Sequence, residues 1–247
     1  MKKTNLIILT SILLTSIILP SLAKAQMKSI KTIDTPTAFT IGRGSYGVSM
    51  MAYDRGGFEF STIVGLIDMF YFGVSLDFQN VIGQEKPQLN VPGVVAKLKI
   101  MDSIFGIPFF MAIGYDSFYI AGDGLRENTP NTVDRVIFGP YLVITQPIYL
   151  LRGEQYVSYG FRLPAQPLYV PDESSYFIAL DFPITEGFFL KAEIERIFWN
   201  FRDPDHWLYN FGARCVFAGK LAIEFDFLWR PRENLNRVLR IEYRGHF

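Results

Sequence analysis

The sequence predicts an all-β chain: a transmembrane antiparallel up-and-down β-barrel of about twelve strands, with ten as the alternative count. Three observations carry this. Apolar and polar residues alternate with period two in segment after segment, which puts them on opposite faces of a strand. Segment lengths cluster near the roughly 9–11 residues that a tilted strand needs to cross a bilayer. Aromatic residues gather on the apolar face and near segment ends, at Tyr53, Phe70, Phe78, Tyr115, Phe188, Trp207, Trp229 and Tyr243, where interfacial girdles belong.

The first element is a leader. Lys2 and Lys3 precede the apolar run Leu6–Leu19, and Ala23-Lys24-Ala25 follows as a cleavage site, so residues 1–25 read as a secretory signal peptide and Gln26 as the first mature residue. The run is short for a spanning helix, which takes about 20 residues. Losing Lys2, Lys3 and Lys24 from 24 basic and 24 acidic residues leaves a net charge of −3. That balance gives no basic excess for nucleic acid. The single cysteine, Cys215, excludes an internal disulfide. No later apolar run is long enough for a helix to span a membrane, so any span is made of strands.

Residues 26–44 follow as an N-terminal segment expected in the periplasm, and residues 45–247 form the barrel. Its strand-like segments are 45–54, 57–66, 69–78, 92–101, 108–116, 134–145, 155–163, 175–182, 187–197, 207–217, 220–229 and 237–247. The third sets Phe70, Phe72, Val74, Leu76 and Phe78 against Tyr71, Gly73, Ser75 and Asp77. The eleventh sets Leu221, Ile223, Phe225, Phe227 and Trp229 against Ala222, Glu224 and Asp226. Pro140, inside the sixth, demands a bulge. Gly56-Gly57 supplies the positive-φ residues of a tight hairpin, and Pro92 can only start a strand.

A soluble β-sandwich also has one apolar face per strand, and a periplasmic β-rich binding protein is the alternative of that kind. Connection lengths favour the barrel. Both termini of an even-stranded barrel share one side. The connections predicted on the far side are 55–56, 79–91, 117–133, 164–174, 198–206 and 230–236. Those predicted on the near side are 67–68, 102–107, 146–154, 183–186 and 218–219. Apart from 55–56 and the longish 146–154, the far set is the longer.

In the last segment Leu239, Ile241 and Tyr243 alternate with Arg240, Glu242 and Arg244, and Phe247 closes the row after Gly245. This ending resembles the assembly signal of bacterial outer-membrane β-barrels, with Tyr243 and Phe247 as its aromatic residues. The resemblance implies a Gram-negative outer membrane, surrounding lipid and the barrel-assembly machinery as partners. Thr35-Pro36-Thr37-Ala38, Gly44-Ser45-Tyr46, Gly56-Gly57, Val64-Gly65-Leu66, Gly73-Val74-Ser75, Val81-Ile82-Gly83 and Pro92-Gly93-Val94 are similar to YjbH-type outer-membrane proteins. That family implies a link to exopolysaccharide and brings no catalytic residues.

The polar face predicts a lumen lined by Asp77, Lys97, Lys99, Asp116, Arg162, Asp181, Lys191, Glu193, Glu195, Arg214, Glu224, Asp226, Arg240, Glu242 and Arg244. Eight acids against seven bases hold no strong one-sign field of the kind a selective channel uses. Inward Gly73, Gly114, Gly139, Gly160 and Gly212 leave room for long side chains to cross. A salt-bridged filling and a narrow polar passage for a small solute or polysaccharide both fit, as accessory envelope protein or porin-like barrel. A lipid-modifying enzyme would need a Ser beside a His base, yet neither His206 nor His246 has a serine one or two positions away. No catalytic, cofactor or metal residues are therefore assigned. The acidic stretches Asp123-Gly124 with Glu127, and Asp203-Pro204-Asp205-His206, read as solvated turns.

Deleting Phe247 should sharply lower the amount of membrane-inserted, heat-modifiable protein on gels while export continues. Unchanged insertion would remove the aromatic terminus from the assembly argument.

Overall fold

The computed structural model describes residues 27–53, 56–84, 86–90, 92–104, 106–117, 137–150, 153–166, 174–197, 207–229 and 235–247. The expected leader and the stretches around residues 123–127 and 203–206 lie outside these. The strands are β1 (Ser45–Tyr53), β2 (Gly57–Ile67), β3 (Phe70–Gln79), β4 (Gln88–Leu89), β5 (Gly93–Ile104), β6 (Ile107–Asp116) and β7 (Ile137–Leu150). β8 (Gly153–Gln166), β9 (Ser175–Thr185), β10 (Phe188–Ile197), β11 (Trp207–Phe217), β12 (Leu221–Trp229) and β13 (Asn236–His246) complete the set. Every pairing is antiparallel. Sequential neighbours pair around the wall, and β1 closes it against β13 from Ser45↔His246 to Ala52↔Leu239. The wall thus has twelve strands, and β4 is a two-residue addition beside Phe78 and Gln79.

Closure leaves the wall no free sheet edge, which is the condition for strands to sit in hydrocarbon. The apolar row of each strand faces out: Phe72, Val74, Leu76, Ile178, Leu190, Ile194, Phe211 and Phe225 are all exposed. Aromatics cluster at both rims of this face, with Tyr209 stacked on Trp207 and tilted against Trp229 at one end, and Tyr46 against Phe247 at the other. Tyr53 corrects the expected girdle. It is buried in the lumen, where its hydroxyl donates to Asp77. Gly57 makes room for it, because a Cβ there would strike the Tyr53 ring. Only Gly56 of the predicted turn pair has positive φ, at 69°.

The turns 68–69, 186–187 and 218–220 lie at one end, here the turn end, beside the strand ends Ile104, Ile107, Leu150 and Gly153. The other ends of the strands, from Tyr53 and Gly57 round to Trp229 and Asn236, make the opposite, loop end. The predicted connection 146–154 shrinks to 151–152, because β7 and β8 keep pairing through Tyr149↔Glu154 and Leu150↔Gly153. Pro147 is tolerated there: the β6–β7 ladder has already ended at Phe110↔Thr145, so no bond to β6 is lost. The bulge expected at Pro140 is present as a register shift between Phe138 and Tyr141.

Residues 27–44, expected in the periplasm, instead run inside the barrel. They form a hairpin with an antiparallel bridge, Lys31↔Pro36, and the bonds Thr32 N to Thr35 O (2.9 Å) and Thr37 N to Ile30 O (3.1 Å). Both legs sit at the turn end. Arg43 N donates to Asp68 Oδ1 (2.9 Å), and Lys28 O accepts from Arg244 Nη1 (2.6 Å). The tip points toward the loop end, where Ile33 packs on Met51, Tyr53, Leu228 and Val238. Burial explains the placement. Ile33, Ala38, Phe39 and Ile41 would be bare outside the barrel, and each is at most 6% exposed within it.

Placing Arg at Phe225 or Ile194 should cost about 2–4 kcal/mol of folding free energy if they meet lipid at mid-depth. Denaturant titration in bilayers, read by gel mobility, checks this. A harmless Phe225→Arg would mean the outer face is misassigned.

Candidate functional site: the occupied lumen

The inward row brings the charged residues together. Asp77, Lys97, Asp116, Arg162, Asp181, Lys191, Glu193, Glu195, Arg214, Glu224, Asp226 and Glu242 are buried, with Arg240 and Arg244 partly so. Lys99 stands apart nearer the turn-end rim, 2.9 Å from Asp102 on its own strand. The expected room above inward glycines is used, by Tyr141 over Gly114 and the Asp226 carboxylate over Gly212. Ion pairs between wall residues, however, are only part of the filling. The other part is the hairpin, and two wall side chains grip it through its backbone.

Glu193 holds the tip. Its carboxylate accepts from Ile33 N (3.1 Å), Asp34 N (3.1 Å) and Thr35 N (3.1 Å), and from Thr35 Oγ1 at 2.7 Å. Successive N–H groups curled around one anion form a nest, and they carry partial positive charge toward it. Asn210 Nδ2 supplies a further bond at 2.6 Å. Lys97 holds the legs. Its ammonium donates to Ile30 O (2.8 Å), Thr37 O (2.8 Å) and Phe39 O (3.2 Å), using all three of its protons. Acid takes donors and base takes acceptors, so hairpin groups that lack sheet partners are satisfied by side chains.

Further contacts fix the register. Arg162 bridges Asp34 (3.4 Å) and Glu195 (3.1 Å), and Ser175 donates to Glu195. Lys31 meets Asp116 at 2.7 Å, Ala38 N donates to Thr145 Oγ1 at 2.8 Å, and Arg240 Nη2 donates to Ile33 O at 3.0 Å. Behind them stands a network of wall residues that reaches the hairpin through Arg240 and Arg244. Glu224 accepts from Lys191 (2.9 Å) and Arg240 (2.9 Å) and forms an ion pair with Arg214 (3.2 Å), and Glu242 accepts from Arg214 (3.5 Å) and Arg244 (2.7 Å). An aromatic strip completes the seat: Phe39 packs on Phe110 and Tyr156 at 5.2 and 4.8 Å between centroids, and Ala38 joins Tyr141 and Phe177.

Glu193 and Glu195 are therefore committed to the hairpin and to Arg162. Glu59 is a lumen acid that the inward set lacked, although the alternation Phe58-Glu59-Phe60 signals its facing. Among the described residues no group of three or more His, Cys, Asp or Glu side chains is placed to hold a metal ion. His246 is exposed at the turn end, its Nδ1 2.7 Å from Phe247 O.

A closed barrel of this build has solved counterparts. The chain is similar to the KdgM porin at a TM-score of 0.54, with 9% identity over 82% of this chain and 99% of that one. The fold is porin-like. The KdgM porin in complex with disordered oligogalacturonate gives 0.50 at 8% identity, over 82% and 99% of the two chains. The outer membrane protein Omp33 of Acinetobacter baumannii gives 0.48 at 8% identity, over 81% and 97%. No protein-family model matches the chain, and no curated protein matches it. The residues that suggested YjbH-type proteins have local tasks here: Thr35-Pro36-Thr37-Ala38 is part of the buried hairpin, and Gly56 is a turn residue.

Replacing Glu193 by Ala strands three backbone donors and should destabilise the seated hairpin by on the order of 3 kcal/mol. Trypsin acting on folded protein would then cut after Lys31, where the parent chain resists. Equal resistance would show that Glu193 does not hold the tip.

Proposed function

We propose that this is a porin-like outer-membrane barrel for small polar solutes, with lipid around it and its bore stopped by residues 27–44. The observation that carries the reading is the clamp of Lys97 and Glu193 on the hairpin backbone. Side chains that bind peptide groups can equally bind hydroxyl donors and oxygen acceptors. Thr35 Oγ1 on Glu193, at 2.7 Å, already demonstrates the hydroxyl case. A sugar-like solute has that chemistry, and the inward Phe110, Tyr141, Tyr156 and Phe177 offer faces for its rings. The oligogalacturonate complex of the KdgM porin supports an oligosaccharide as the solute class.

A second reading has its own observation. Ile33, Phe39 and Ile41 anchor the hairpin with apolar burial, as a permanent seal would require. The protein then serves the envelope as a closed accessory barrel, and a role beside exopolysaccharide belongs to this reading.

Planar-bilayer recordings separate the two. Lys97→Ala combined with Glu193→Ala should convert a nearly silent barrel into one with steady conductance. A double variant that stays silent while heat-modifiable, together with an exopolysaccharide defect in a deletion strain, would favour the sealed accessory role.

A further inference from the structure

The lumen wall is uneven in a way that matters for what could pass the hairpin. β1 and β2 place Gly47, Ser49 and Ser61 on the inner face, where β10 and β12 carry Lys191, Glu193, Glu195, Glu224 and Asp226. The Ser49 and Ser61 hydroxyls meet at 2.6 Å. Small side chains leave a gap, and a cavity of about 60 Å³ lies between them and the first hairpin leg, residues 29–31. Strand register puts Gly47 level with Arg244 at its turn-end side, and Met51 level with Glu59 and Arg240 at its other side. The cavity is thus an axial cleft along the β1–β2 wall.

Its charges are mostly committed. Glu224 and Glu242 are held by arginines, Arg240 by Glu224, and Lys31 by Asp116. Glu59 differs: it is 6% exposed and its Oε2 has no hydrogen-bond partner, so that Lys31 and Arg240 act on it only through space. Beyond Glu59, toward the loop end, Met51 belongs also to the apolar cluster with Tyr53, Leu228 and Val238. The hairpin contributes Ile33 to that cluster. Apolar constrictions stop ions by excluding water.

The geometry points to a route for a small hydrated cation along the β1–β2 wall, with Glu59 as its binding group and the cluster around Ile33 as its gate. The inference rests on the hairpin acting as a stopper. A cation at Glu59 takes the place of the missing partner, and the serine hydroxyls add hard oxygen ligands. Ile33 closes the path because its side chain completes the dry cluster. Opening the gate therefore needs only a wet tip, not removal of the hairpin.

The test uses the full mature chain with Cys215→Ala, in planar bilayers under a potassium chloride gradient. Ile33→Ser should raise conductance several-fold and give a cation-positive reversal potential. Adding Glu59→Gln should keep the conductance and bring the reversal potential close to zero, while Glu59→Asp should retain the preference. Labelling Ser61→Cys in the Ile33→Ser chain with a small cationic thiol reagent should block the current. No rise with Ile33→Ser, an unchanged preference with Glu59→Gln, or an unlabelled Ser61→Cys would each overturn the route. The clamp variant Lys97→Ala with Glu193→Ala distinguishes the failures. If it conducts and Ile33→Ser does not, the cleft is wrong and the stopper stands; if neither conducts, the stopper reading falls as well.

Discussion

Closing the sheet between β1 and β13 satisfies the wall's backbone, and it also creates a space that must be dealt with. Barrel diameter grows with strand number, and about eight strands give an interior that wall side chains alone can fill. Twelve strands give more room. In this chain the surplus is taken up by a length of the chain itself, residues 27–44, and that choice imposes the next requirement. An inserted hairpin brings peptide N–H and C=O groups that no strand can pair, and leaving them bare in a water-poor lumen is costly.

The charged wall answers that requirement. Lys97 and Glu193 are of opposite sign because the hairpin presents carbonyls along its legs and amides at its tip. Burying either charge alone would be unfavourable, so each depends on the hairpin as much as the hairpin depends on it. The Lys191, Arg214, Glu224, Arg240 and Glu242 network has a different logic. Together with Arg244 on Glu242 it neutralises itself within the wall, and it touches the hairpin through two arginine bonds, Arg240 to Ile33 O and Arg244 to Lys28 O. The near balance of inward charge is therefore the sum of a self-paired wall and a hairpin clamp. It is not in itself a measure of how open the bore is.

The alternation made the wall legible from residues alone. Phe72, Val74 and Leu76 against Tyr71, Ser75 and Asp77 state the facing of β3, and the structure keeps it. Boundaries were harder where proline obscured the pattern: Pro147 made the β7–β8 turn look like a loop, although the pairing runs to Leu150. An aromatic near a strand end suggests the lipid rim for Tyr53, yet the hydroxyl of a tyrosine can also seek a buried acid, here Asp77. The hairpin was not legible. Residues 27–44 lack the length and alternation of a wall strand, and their partners Thr145 and Glu193 lie more than a hundred residues away. Local pattern carries no information about contacts of that range.

The clamp and the filled bore both require the hairpin to be inside the barrel, and a cross-link between hairpin and wall measures that directly. Ala38 is fully buried with its amide on Thr145 Oγ1. Cysteines at Ala38 and Thr145, in a chain with Cys215→Ala, should join on treatment of the folded, membrane-reconstituted protein with an oxidant or a short bifunctional thiol reagent. The product is read as a gel shift after boiling. A high yield, with Ala38→Cys resistant to a membrane-impermeant thiol label, is the predicted result. No cross-link, together with rapid labelling at position 38 in the folded protein, would contradict the occupied lumen.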